Sequence, residues 1–144
     1  MGRQMRLFPG GLVLLLGAFS LTLAEDSLDR RMKAASPDSI DCGRTEPGAA
    51  GRKAVLSCVQ SSIQAGTAFR VRFDKTCIDS ICAWGLFRGT SSGAFQIVPY
   101  DSKGCSLAND TDVWCGTFGE VPCRKPLVTV EGEKMQVLCE GYEF

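Results

Sequence analysis

Eight cysteines, Cys42, Cys58, Cys77, Cys82, Cys105, Cys115, Cys123 and Cys139, are the residues whose type and spacing bear most directly on chemistry. Cysteine supports metal binding, redox exchange or structural cross-links. The tightest spacings leave four and then seven residues between neighbours. No C-x-x-C pair occurs, which disfavours zinc ribbons and thioredoxin-like sites. An even count behind an export signal reads instead as a disulfide framework. Eight cysteines allow about 105 connectivities, and local pairing is the expectation here: Cys42 with Cys58, Cys77 with Cys82, Cys105 with Cys115, and Cys123 with Cys139.

The absence of histidine removes a large share of the catalytic repertoire. Ser-His-Asp and Cys-His nucleophiles, His-ligated zinc and imidazole acid–base work all go with it. A carboxylate pair needs two acidic groups converging in a cleft. Asp74 with Asp79, or Asp101 with Asp110 and Asp112, are the candidates, although loop aspartates ordinarily make Asx-turns. Asn109-Asp110-Thr111-Asp112 offers oxygens to calcium but lacks the glycine and distal glutamate of an EF-hand loop. Asn109 also heads an N-glycosylation acceptor, Asn109-Asp110-Thr111. Ser91-Ser92-Gly93 has no G-x-S-x-G around it and reads as a turn. No cofactor is expected, and the balance leans away from an enzyme.

The elements that must position these residues begin with Thr67 to Ser102, read as three antiparallel strands. Phe69, Val71 and Phe73 alternate with Arg70, Arg72 and Asp74, the period of a strand with one buried and one wet face. Ile81 to Arg88 is apolar almost throughout, as in a strand covered on both sides. Ala94 to Tyr100 follows a glycine turn. Ahead of them a helix is expected over about Ala50 to Ala65, with Val55, Val59 and Ile63 on its apolar stripe and Gly66 as its C-cap. A final hairpin pairs Leu127–Val130 with Lys134–Cys139. The fold class is therefore α+β: one N-terminal helix packed on an antiparallel sheet of about five strands, stapled by disulfides.

Arg3 and Arg6, the apolar run Gly11 to Leu23, and Thr22-Leu23-Ala24 have the layout of a signal peptide over 1–24, cleaved after Ala24. Residues 25–40 are charged and lack apolar periodicity, so they read as a disordered leader or tether. Residues 41–144 form the single folded domain. The full chain is 144 residues long with 16 basic and 16 acidic groups; losing Arg3 and Arg6 leaves a net charge of about −2. That balance argues against nucleic acid as a partner. Arg70, Arg72 and Arg88 are the nearest thing to a basic patch and read as a solvated strand face. Without a second long apolar segment, no stable membrane insertion is expected, and the address is secreted or periplasmic.

The segment Asp41-Cys42-Gly43 with the helix after it, Ala65 to Phe73, and Ile78-Asp79-Ser80 resembles small uncharacterised secreted proteins of bacteria. The resemblance extends over most of the mature chain and implies no activity. A helix ahead of an antiparallel meander is also similar to the cystatin layout, but the Gln-x-Val-x-Gly hairpin is missing. The residues together point to an exported binding domain for an unknown protein or surface ligand, with Trp114 and Phe118 as the interaction patch. A protease-inhibitor module, using the Cys77 to Cys82 tip, and a carboxylate hydrolase are the alternatives.

Overall fold

The computed structural model describes residues 26–46, 50–103, 117–131 and 134–143. Its elements are α1 (Ser27–Ala35), β1 (Ile40–Thr45), α2 (Arg52–Ala65), β2 (Phe69–Lys75), β3 (Cys82–Arg88), β4 (Phe95–Asp101), β5 (Thr117–Phe118), β6 (Val121–Cys123), β7 (Leu127–Glu131), β8 (Lys134–Cys139) and β9 (Tyr142–Glu143). The expected helix and the three long strands are present near their expected bounds. The class is α+β, and three details differ from the sequence reading.

The first is a second helix. Residues 25–40, expected as a disordered leader or tether, contain α1. Its apolar side is only Leu28 and Met32, one turn apart, which is too little periodicity to register in so charged a stretch. Its start is nevertheless encoded locally. The Asp26 carboxylate accepts from the backbone N–H of Leu28 and Asp29, and the Asp29 side chain accepts in return from the Asp26 N–H, closing a capping box. The acidic groups also suit the positive end of the helix dipole.

The second is β1, which pairs parallel to β2 and makes the main sheet mixed rather than antiparallel. Its sequence, IDCGRT, shows little alternation because the register breaks between Asp41 and Arg44, where Gly43 takes φ +87°. A left-handed glycine inside a strand is the usual way to seat such an irregularity. Third, the terminal hairpin does not extend the main sheet. The main sheet runs β1-β2-β3-β4-β5, with β6 also paired to β4, while β7, β8 and β9 form a separate three-stranded sheet.

Strand alternation divides the core in two. Phe69, Val71, Phe73, Leu86 and Ile97 face α2, where Val55 and Val59 meet them together with Val128 and Val137 of the second sheet. α2 ends as its sequence indicates, with Gly66 at φ +65° and its N–H directed to the carbonyls of Ser62 and Ile63. Ala83, Phe87, Val98 and Tyr100 face the other way and are covered by Leu28 and Met32 of α1. The disulfides Cys42–Cys58, Cys77–Cys82 and Cys123–Cys139 fasten β1 to α2, the β2–β3 turn to itself, and β6 to β8. Cys105, Cys115, Asn109, Trp114 and the signal segment lie outside the described residues.

α1 approaches the sheet closely because β3 carries Gly85 beneath it. A Cβ there would collide with Met32 Sδ and stand 3.3 Å from Leu28 Cδ1. Gly85→Ala is therefore expected to lower stability by about 1–3 kcal/mol through overpacking, despite the better strand propensity of alanine. Adding Met32→Ala should recover part of that loss. A double-mutant cycle in urea showing simple additivity would mean that the helix does not rest on this glycine.

Candidate functional site

Two places on this scaffold combine specific geometry with accessible chemistry. The first grows from β2. Arg70, Arg72 and Asp74 alternate away from the α2 core and so face α1. The sequence reading expects a wet face here, yet Arg72 is only 1% exposed because α1 lies over it. Arg88, grouped with these arginines in that reading, pairs across the sheet with Phe69 and belongs to the opposite face.

A buried guanidinium needs compensation, and three carboxylates provide it. Arg72 Nη1 lies 2.6 Å from Asp26 Oδ1 and 3.1 Å from Asp29 Oδ2, and Nε lies 2.7 Å from Asp74 Oδ1. Asp74 Oδ2 in turn accepts from Arg44 Nε at 2.8 Å, which ties β1 into the cluster. Burial pulls the guanidinium pKa down, but the hydrogen bond to Asp26 and the charges of Asp29 and Asp74 outweigh it, leaving Arg72 above its ordinary value and permanently charged. Asp29 is pushed above the usual carboxylate range, chiefly by burial, with the Arg72 charge opposing the shift and the Asp26 charge adding to it. Beside the cluster, a cleft of about 250 Å³ opens between α1 and the β1–β2 edge, with Asp29, Lys33, Asp41, Arg44, Arg70 and Arg72 in its walls.

The second place is the β2–β3 turn. The Cys77–Cys82 bridge closes it into a small ring, and Asp79 sits at φ +60° near its apex. Its base is tied to the end of β4, since Ile81 N–H donates to Ser102 Oγ at 2.7 Å and Ser102 N–H to the Ile81 carbonyl at 2.9 Å. Ile81 packs inward on the α1-side core, whereas Ile78 is 90% exposed. Just below, Lys75 Nζ lies 3.9 Å from the Trp84 ring centroid, and burial lowers the Lys75 pKa.

The residues singled out from sequence fare differently. Asp74, expected to act with Asp79, is held by Arg44 and Arg72, and Asp101, expected to act with Asp110 and Asp112, accepts from the Lys103 N–H through Oδ1. Asp110 and Asp112 lie outside the described residues. Phe118 is placed in β5, opposite Tyr100. Among the described residues, no group of three or more His, Cys, Asp or Glu side chains is arranged to hold a metal ion. Asp26 and Asp29, which converge with Asp74 on Arg72, fall in the segment read as a leader. Their i, i+3 spacing, flanking Leu28 and ahead of Met32, is the signal that marks them. No family model, no curated protein and no solved structure matches the chain.

Arg72→Met removes the countercharge from Asp26 and Asp29 and is expected to destabilise the protein by about 3–5 kcal/mol in urea titrations. The raised Asp29 pKa has its own pH signature. A carboxyl whose folded pKa exceeds its unfolded value makes its full contribution at pH below the unfolded pKa and loses it as pH rises through the folded one. Relative to Asp29→Asn, the wild type should lose stability on going from about pH 4 towards neutrality. A constant difference between the two across that range would contradict the buried placement of Asp29.

Proposed function

We propose that this chain is an exported, non-enzymatic recognition domain that engages a protein partner through the Cys77–Cys82 tip. The observation that carries the reading is Ile78, a large aliphatic side chain left almost wholly in solvent on a loop closed by a disulfide. Covering such a side chain is worth about 1.5–3 kcal/mol. A loop already closed by a bridge gives up little conformational freedom on binding, so more of that gain survives as affinity. Three disulfides among the described residues suit an oxidising compartment, and no helix of those residues is long and apolar enough to cross a membrane.

The same loop supports a second reading, in which the partner is a protease whose specificity pocket accepts an aliphatic side chain. A convex, rigid, singly bridged tip with one projecting residue is the form such a pocket takes. Trp114 and Phe118 remain a separate candidate patch, since the recognition surface of an exported domain can combine several loops.

The test compares wild type with Ile78→Ser and with the double variant Cys77→Ser/Cys82→Ser, in capture of partners from the producer's own surroundings and in inhibition of a broad protease panel. Ile78→Ser should weaken the interaction about tenfold or more without altering the melting transition. The bridge variant should weaken binding and also lose about 2 kcal/mol of stability. Equal binding by all three proteins would remove the tip from the function. Loss on Trp114→Ala and Phe118→Ala alone would move recognition to that patch.

A further inference from the structure

We propose that the cleft between α1 and the β1–β2 edge is a binding site for a small organic carboxylate, with Arg72 as one of its anchors. The proposal stands apart from the role given to the Cys77–Cys82 tip. It starts from an incomplete set of hydrogen bonds. Arg72 donates through Nε to Asp74 and through Nη1 to Asp26, but its buried Nη2 finds no acceptor among the described residues. A guanidinium has five donors in a fixed fork, and buried donors without acceptors are rare in folded proteins. Here the unfulfilled nitrogen belongs to a residue that lines an open cleft.

The other wall groups define what would complete it. Arg70 is held in place by Nη1 bonds to the carbonyl and hydroxyl of Ser39 and by an Nη2 bond to Asp41 at 2.8 Å. Arg44 is anchored through Nε to Asp74. Lys33 adds a fourth positive charge, from the last turn of α1. Planar guanidinium groups match the two oxygens of a carboxylate. Asp29 and Asp41 also line the cleft, and their charges oppose a dianion more than a monoanion. A carboxylate is therefore favoured over a phosphate. Met32 contributes an apolar contact for a short carbon chain, and about 250 Å³ accommodates a molecule of a few carbons.

The experiment follows the side-chain guanidinium resonances of Arg72 and Arg70 by NMR while the protein is titrated with acetate, butyrate, inorganic phosphate, or sodium chloride at matched ionic strength. Saturable shifts with acetate and butyrate are expected, with dissociation constants on the order of millimolar and weaker binding of phosphate. Arg44→Gln/Arg70→Gln, which leaves the Arg72 contacts to Asp26, Asp29 and Asp74 in place, should weaken butyrate binding about tenfold or more while preserving the backbone spectrum. The proposal is overturned if sodium chloride alone reproduces the shifts, if no carboxylate saturates them, or if the double variant binds butyrate as well as wild type. Tighter binding of phosphate than of butyrate would overturn the assignment to carboxylates.

Discussion

The contact on which the rest of the α1 side depends is the buried ion cluster around Arg72. One guanidinium joins the N-cap and first turn of α1, through Asp26 and Asp29, to Asp74 on its own strand, and Asp74 passes the connection to Arg44 on β1. A nine-residue helix is too short to persist in water on its own. Tertiary anchorage must hold it, and this cluster together with Leu28 and Met32 supplies that anchorage. Buried ion clusters add less net stability than their Coulomb energy suggests, because desolvation opposes them, but they are directional. Asp26 and Asp29 meet Arg72 only when the helix start lies over the centre of β2, so the cluster fixes where α1 sits.

Gly85 and the cluster act on the same approach from opposite directions. The ion pairs draw the N-terminal turn of α1 onto β2, and the missing side chain at Gly85 gives Leu28 and Met32 room on β3. The close approach buries Arg72 and shields Asp29, and the raised Asp29 pKa follows from that burial. Electrostatics on this face and packing on it are thus two aspects of one docking geometry. The cleft is what remains where α1 no longer covers the sheet and the parallel edge strand β1 has its glycine break.

The opposite face is built differently. There the apolar stripe of α2 meets Phe69, Val71 and Phe73, and the Cys42–Cys58 bridge fastens α2 to the edge strand. Cys123–Cys139 performs a similar task for the small second sheet, which shares this core through Val128 and Val137. With both faces of the main sheet covered, the Cys77–Cys82 tip projects from a braced end, and its exposed Ile78 stands on a rigid support.

The parts of the fold whose signal is local and periodic were legible in the chain alone. Alternation along Phe69–Asp74, the apolar run into Arg88, the helical stripe Val55–Val59–Ile63 with Gly66 behind it, and the terminal hairpin all express one-dimensional regularities that packing preserved. Short separations in the chain likewise favoured Cys42–Cys58, Cys77–Cys82 and Cys123–Cys139. Long-range packing alone reveals that Ile40–Thr45 is a parallel edge strand, because a glycine break and an edge position erase the alternation that would announce it. Only it decided that Ser27–Ala35 is a helix, because the partner that holds this segment, Arg72, is more than forty residues away. The same long-range contact turned an alternating arginine that reads as solvent-facing into the most deeply buried charge described, and so made the cleft.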